Sequence, residues 1–118
     1  MKVLVTGSRD WTDSETIYRA LAEHTAFDEV TLLSGACPTG ADAFAERYAK
    51  LKGWKVELHP ADWDKYGKRA GPLRNQAMVD KKPDLVLAFI LNGSRGASGT
   101  VAMARKAGLR VKVYEATT

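Results

Sequence analysis

The sequence predicts an α/β fold, namely a Rossmann-like three-layer domain with a mainly parallel five-stranded sheet and helices on both faces. Short apolar runs alternate along the chain with segments whose apolar residues recur at helical spacing, which is typical of such sheets. The chain has 118 residues, without an internal repeat, a low-complexity segment or an interdomain linker. This length suits one domain, so we expect residues 1–118 to form a single Rossmann-like domain.

The five predicted strands differ in how apolar they are. Residues 85–90 form the most apolar run, which predicts a buried central strand. Residues 54–58 alternate between apolar and polar side chains, which favours a position nearer an edge of the sheet. In chain order the predicted strands span residues 2–5, 30–33, 54–58, 85–90 and 111–114.

Helix-period segments connect these strands. Thr12 and Glu15 have the spacing of a capping box, so we expect Thr12 to cap the first helix. Gly53 follows the second helix where a left-handed cap is expected, and Pro72 is suited to the first position of the third. The last three predicted helices span residues 40–52, 72–80 and 100–107, with a polar loop at 59–71 and a glycine-rich turn at 92–99.

Composition narrows the classes of function. The net charge is +4, which favours an anionic partner without identifying one. The single cysteine, Cys37, excludes an internal disulfide framework, and no His, Cys and Asp residues have metal-ligand spacing, so we expect no metal and no cofactor. No apolar stretch approaches the roughly 20 residues of a membrane span. The first apolar run is too short for a signal peptide, so we expect a cytoplasmic protein without a membrane partner.

Glycine and arginine concentrate in the four segments that follow strands. In open parallel sheets, ligands bind outside the carboxyl ends of the strands, near the point where the strand order reverses. Eight of the ten glycines and four of the eight arginines lie in these segments. Glycine permits close approach of the backbone, and arginine has a forked donor that fits phosphate. The segments, residues 7–11, 34–42, 59–75 and 92–100, therefore predict an anion site at one edge of the sheet.

The segment from Gly96 to Thr100 is the sharpest candidate for phosphate binding. It lies between the most apolar run and a predicted helix, and backbone N–H groups at a helix start lack internal partners. A phosphate there would also accept hydrogen bonds from the hydroxyls of Ser98 and Thr100. The alternative is a plain turn capped by Ser98. Neither the P-loop pattern nor the dinucleotide-binding glycine pattern is present.

Four other side chains are candidates for contacts with a nucleotide. Arg74 and Asn75 lie in the first turns of a predicted helix. We expect them either to contact the phosphate or ribose of a ligand or to cap the helix at the protein surface. Trp63 lies in a charged loop, where it stacks on a base or packs as a lid. Asp42 lies in the first turn of the second helix. Three roles are consistent with this position of Asp42. The side chain would contact a ribose hydroxyl, act as a general base, or complement the helix dipole.

These segments resemble a known family when they are taken in order. They are Thr6-Gly7-Ser8-Arg9, Ser34-Gly35 followed by Gly40-Ala41-Asp42, Ala61-Asp62-Trp63, Gly71-Pro72 followed by Arg74-Asn75 and Met78, and Ser98-Gly99-Thr100. The chain resembles the YspA-like branch of the SLOG superfamily over nearly its whole length. These are small Rossmann-like proteins of bacteria and their phages. They are related to the LOG (Lonely Guy) cytokinin-activating enzymes and to the DNA-processing protein DprA.

The resemblance implies a nucleotide or nucleotide-derived ligand at the strand edge. LOG enzymes cleave the N-glycosidic bond of a nucleoside monophosphate with a helical arginine and a glutamate shortly after a glycine-rich turn. Arg74 matches the arginine, whereas Met103 stands three residues after Thr100, where that glutamate would lie. The resemblance therefore favours a binding or sensing role over LOG-type hydrolysis.

Three functions follow from these observations. The leading prediction is binding of a nucleotide-derived small molecule, and we expect Arg9, Arg74, Gly99 and Thr100 to converge on one cleft. The second is a hydrolase acting on a glycosidic or phosphate bond, with Asp42, Asp62 and Arg74 as catalytic candidates. The third is DprA-like nucleic-acid binding, for which the scattered lysines give weak support. Formation of a homo-oligomer is a further possibility that the sequence does not decide. The predicted ligand-binding residues are Gly7, Ser8, Arg9, Gly35, Gly40, Asp42, Trp63, Arg74, Asn75, Gly96, Ser98, Gly99 and Thr100.

Overall fold

The computed structural model describes residues 1–25 and 29–117. Its strands form one five-stranded sheet in the order β3-β2-β1-β4-β5, and every neighbouring pair is parallel. The strands are β1 (Lys2–Gly7), β2 (Thr31–Ser34), β3 (Lys55–Leu58), β4 (Leu85–Leu91) and β5 (Val111–Ala116). The helices are α1 (Ser14–Thr25), α2 (Gly40–Lys52), α3 (Trp63–Tyr66), α4 (Ala70–Asp80) and α5 (Arg95–Lys106), with a 3₁₀ turn at Gly67–Arg69. The predicted α/β fold is confirmed.

The sheet is covered on both faces because side chains of a strand alternate between them. Val3 and Val5 of β1 pack with Ile17 of α1 and the small inner residues of α2. Leu4, between them, packs on the opposite face with Met78 of α4 and with α5. Strand β4 is buried along nearly its whole length, as its apolar run predicts, and β3 forms an edge of the sheet.

The order of the strands reverses beside β1. The chain passes from β1 to β2 and β3 on one side of the sheet and then crosses to β4 and β5 on the other. The connections therefore diverge at the carboxyl ends of β1 and β4, which leaves a crevice there. No helix in the described part of the chain is long and apolar enough to cross a membrane.

The predicted capping box of α1 is wrong. The carboxylate of Asp13, not Thr12, caps the helix, because its Oδ1 accepts a hydrogen bond from the N–H of Thr16 at 3.1 Å and its other oxygen accepts from the Thr16 hydroxyl. Glu15 is then the second residue of α1, and its carboxylate pairs with Arg19 one turn later at 2.8 Å.

The predicted start of α5 at residue 100 is also wrong. The left-handed conformations that the turn requires are confined to Asn92, with φ of 52°, and Gly93, with φ of 68°. The helix begins at Arg95, after the N-cap residue Ser94, so Gly96 and Gly99 lie inside it. Glycine is compatible with a turn and with a helix, and the local sequence does not distinguish the two.

The predicted polar loop at 59–71 contains more regular structure than expected. It includes α3 and the 3₁₀ turn, and α4 begins at Ala70, two residues before Pro72. Proline is accommodated there because the first N–H groups of a helix have no intrahelical partner. The predicted end of this helix at residue 80 and the left-handed cap at Gly53, with φ of 72°, are confirmed.

Candidate functional site

A cleft of about 200 Å³ opens at the carboxyl end of β1, where the strand order reverses. Its walls come from five parts of the chain, which are the end of β1 with the residues after it, the segment after β2, the first turn of α2, helix α4 and the start of α5. Seven predicted site residues line it, namely Gly7, Arg9, Gly35, Asp42, Arg74, Asn75 and Gly96. The predicted convergence of strand-following segments is therefore observed for these residues.

The guanidinium of Arg74 reaches across the cleft from α4. Its Nη1 donates to the carbonyl oxygen of Gly35 and its Nε to Oδ1 of the buried Asn75, both at 2.6 Å. A Cβ at Gly35 would lie 2.6 Å from Nη1, so only glycine allows this approach. Two of the five guanidinium N–H groups are used, and the other three have no partner among the described residues. They are donors for an anion.

Asp42 is a nearly buried carboxylate beside this guanidinium. It lies in the first turn of α2, and its Oδ2 accepts the N–H of Cys37 at 3.2 Å. Burial, with a smaller contribution from the charge of Glu46, raises the pKa of Asp42 to about 6. The hydrogen bond from Cys37 and the charge of Arg74 act in the opposite direction but do not cancel the burial. This carboxyl group therefore changes its charge near neutral pH.

The start of α5 lies on the cleft, but one turn earlier than predicted. Gly96 and Ala97 line the cleft, and the N–H of Ser98 already bonds to the carbonyl of Ser94 at 3.1 Å. The free N–H groups of this helix therefore belong to residues 95–97 and not to Gly99 and Thr100.

Ser98, Gly99 and Thr100 do not line the cleft. Ser98 is exposed, and Gly99 lies on the second turn of the helix. The predicted hydroxyl donor at Thr100 is contradicted, because this side chain is fully buried and its Oγ1 donates to the carbonyl of Gly96 at 3.1 Å. Thr100 thus stabilises the helix from within.

Gly7, Ser8 and Gly40 shape the cleft through backbone packing. A Cβ at Gly7 would lie 2.6 Å from the carbonyl oxygen of Phe89, and one at Gly40 would overlap the backbone of Ser8. The hydroxyl of Ser8 accepts the N–H of Leu91 at 2.9 Å and so joins the end of β1 to β4. Of these three residues, only Gly7 also lines the cleft.

A second hollow of about 330 Å³ adjoins the cleft. The two share Arg9, Gly35, Cys37 and Arg74, and Trp63 forms an outer wall of the second hollow. Asp62, the other predicted acid, lines neither. Its carboxylate caps α3 by accepting the N–H of Lys65 at 3.1 Å.

The structure adds residues that the sequence analysis did not select. Ser94, Ala97 and Cys37 line the cleft, and Cys37 also donates its backbone N–H to Asp42. Glu46 influences the pKa of Asp42 and accepts a hydrogen bond from the Ser34 hydroxyl at 2.7 Å. The spacing of Asp42 and Glu46, four residues apart on one helix, is the signal that would have identified this pair. Within residues 1–25 and 29–117, no cluster of acidic, histidine and cysteine side chains is placed to hold a metal ion.

Comparisons with known proteins agree with this architecture. The chain is 42% identical over 118 residues to the Gene 61 protein of Mycobacterium phage D29, and the match covers 93% of each chain. No solved structure matches it. Residues 1–66 match the model of the YspA, cpYpsA-related SLOG family. This match includes β1, β2 and the glycine-containing segments that follow them, which form one side of the cleft. The chain therefore belongs to the YspA, cpYpsA-related SLOG family.

Proposed function

We propose that the cleft binds a phosphorylated nucleotide derivative in a binding or sensing role. The observation that carries this proposal is the convergence of the Arg74 guanidinium, with three unused N–H groups, and the first turn of α5 on one concave site. Family membership supports it, because it indicates nucleotide-related binding or processing.

The electrostatics of the cleft suit a phosphate. Arg9 and Arg74 supply positive charge, and the free N–H groups of residues 95–97 carry the positive end of the helix dipole. Asp42, which lines the cleft beside the Arg74 guanidinium, is placed to accept a hydrogen bond from a ribose hydroxyl. Taken together, the cleft and the adjoining hollow fall within the range of about 300–1,000 Å³ that is typical of small-molecule sites.

Calorimetric titration with ribose 5-phosphate, AMP and ADP-ribose tests the proposal. We expect at least one of them to bind and to raise the unfolding temperature, because a ligand of the folded state alone stabilises it. Arg74→Ala should weaken binding by about 10- to 100-fold, since a hydrogen bond to a charged group contributes roughly 1.5–3 kcal/mol.

The control is Arg69→Ala, which removes the same charge from an exposed position that lines neither hollow. It should change affinity by less than about threefold at 0.15 M salt, where exposed charges are screened. Arg74→Lys retains the charge and tests the forked geometry. Equal losses in the two alanine variants, with circular dichroism unchanged, would place the ligand elsewhere.

Hydrolysis of a nucleotide-derived substrate is the second candidate. The observation that favours it is Asp42, whose pKa of about 6 and position beside Arg74 suit a general acid or base. The binding proposal predicts no release of base or phosphate from bound nucleotides. Met103 of α5 supports this prediction, because it stands where a LOG-type glutamate would lie and its side chain packs against the core. Product release on chromatography that is lost in Asp42→Asn would establish the hydrolase instead.

A further inference from the structure

We propose that the hollow beside Trp63 holds the base of the nucleotide and binds it by stacking, with purines preferred and with little discrimination between adenine and guanine. This inference rests on the proposed function, because the hollow shares with the cleft both Arg9 and Arg74, the cations proposed to hold the phosphate. The phosphate then lies towards α5, the ribose near Asp42, and the base on the other side of Arg74.

Trp63 is an exposed aromatic side chain that does not pack against another aromatic ring among the described residues. Its surface is 52% exposed, and its ring pairs with no other aromatic ring in the described chain. The other two tryptophans are different. Trp11 is 4% exposed with its ring 5.6 Å from that of Phe89, and Trp54 lies 5.3 Å from the ring of Tyr48. Trp63 therefore presents apolar surface that a planar ligand would cover.

The backbone and a close contact hold the indole in place. Trp63 is the first residue of α3, directly after the Asp62 cap. The outer edge of its six-membered ring rests on Gly71 at the start of α4, where a Cβ would lie 3.2 Å from the ring. A side chain at Gly71 would push the ring away. Because the indole is positioned before any ligand arrives, stacking on it costs little ordering entropy.

The hollow offers an apolar surface, and its charged lining side chains, Arg9 and Arg74, also line the cleft, where the proposed function assigns them to the phosphate rather than to the edge of the base. Pro38, Pro60 and Ala61 line it together with Trp63. The hydroxyl of Thr39, a polar lining group, already donates to the carbonyl of Arg9 at 3.0 Å. Adenine and guanine differ only in edge groups, so such a site distinguishes them weakly. A purine stacks over a larger area than a pyrimidine and is therefore preferred.

Calorimetry with ribose 5-phosphate, AMP, GMP and CMP on the parent, Trp63→Ala, Trp63→Phe and Tyr66→Ala proteins tests this inference. We expect Trp63→Ala to weaken AMP binding by about 5- to 100-fold, the range for loss of one base-stacking side chain, and to leave ribose 5-phosphate unaffected. Trp63→Phe should retain most of the affinity. Tyr66→Ala removes a 43% exposed aromatic from the same helix that does not line the hollow, and it should bind AMP like the parent.

In the parent, AMP and GMP should bind within about fivefold of each other and more tightly than CMP. Binding of AMP no tighter than ribose 5-phosphate, or AMP affinity unchanged in Trp63→Ala, would overturn the inference and leave the proposed function standing. A more than tenfold difference between AMP and GMP would also overturn it, because the edge of the base would then be read. If none of the four compounds binds, this inference fails, and the proposed function fails with it when ADP-ribose does not bind either.

Discussion

At the scale of single residues, Asp42 shows how the fold alters the chemistry of a side chain. An exposed aspartate in the first turn of a helix is ordinarily ionised and complements the helix dipole. Here burial raises its pKa from 3.8 to about 6. The folded state therefore binds more protons than the unfolded chain between about pH 4 and pH 6, so the contribution of Asp42 to stability falls as the pH rises through that window.

Asp42→Asn removes this titration. At pH 4 the side chain at position 42 is uncharged in the folded state of both proteins. Between pH 4 and pH 8, we expect the unfolding free energy of the variant to rise by about 2–3 kcal/mol relative to that of the parent. Urea unfolding of both proteins at the two pH values measures the change. A parent-to-variant difference that is the same at pH 4 and pH 8 would show that Asp42 titrates normally. The same variant is the control for the pH dependence of ligand binding. A phosphate monoester itself titrates near pH 6, so any pH dependence that persists in Asp42→Asn comes from the ligand and not from Asp42.

Position 35 requires glycine because the Arg74 guanidinium lies against it, and not because its backbone has a left-handed conformation. Gly35→Ala would place a Cβ 2.6 Å from Nη1 of Arg74, the mobile end of a long side chain. We therefore expect the guanidinium to move and the fold to persist, with stability changed by less than about 1 kcal/mol and affinity reduced about tenfold or more. Gly99→Ala is the matched control, because that site is open and lines neither hollow. Both affinities are measured by calorimetry, and equal values for the two variants would contradict the assignment.

At the scale of elements, α5 matters because its start defines which N–H groups are free. The helix begins at Arg95, after the left-handed pair Asn92 and Gly93 and the N-cap residue Ser94, and this places the first turn on the cleft. Thr100 is one turn further on and is bonded within the helix. A phosphate at this helix therefore meets Gly96 and Ala97, not the Thr100 hydroxyl.

Thr100→Ala distinguishes these two positions. We expect it to lower the unfolding free energy by about 1–2 kcal/mol, because a buried hydrogen-bonded side chain is truncated, and to change ligand affinity by less than about twofold. Gly96→Val, which adds a branched side chain to the cleft wall, should weaken binding instead. Urea unfolding and calorimetry on both variants provide the two readouts. A large loss of affinity in Thr100→Ala with stability intact would restore the later helix start as the phosphate site.

At the scale of the whole molecule, β1 couples the site to the core. Its side chains pack on both faces of the sheet, with Leu4 between α4 and α5 on one face and Val5 beside α2 on the other. Its carboxyl end carries Gly7 and leads to Arg9, which line the cleft. Both layers of helices are thus held in position relative to the ligand site by one central strand.

Leu4→Ala tests the contribution of β1 to the core and the expectation of a single domain. We expect a loss of about 2–5 kcal/mol, the usual cost of truncating a fully buried leucine, within one cooperative unfolding transition. Leu51→Ala, at a 78% exposed position, should change stability by less than about 0.5 kcal/mol. Urea unfolding followed by fluorescence and by circular dichroism measures both. Two separate transitions would contradict a single domain.

Much of this architecture could be predicted from local patterns alone. Apolar runs and helical periodicity depend on neighbours a few residues away, which is why the strands, their parallel arrangement and most of the helices were predicted. The clustering of glycine and arginine after the strands indicated the edge of the sheet at which the cleft opens. Other features depend on contacts between distant segments. The start of α5, the bond between Arg74 and Gly35, which lie 39 residues apart, and the burial of Asp42 appear only once the layers pack. Tertiary packing sets them because burial and close approach are properties of the assembled layers, which no local stretch of sequence contains.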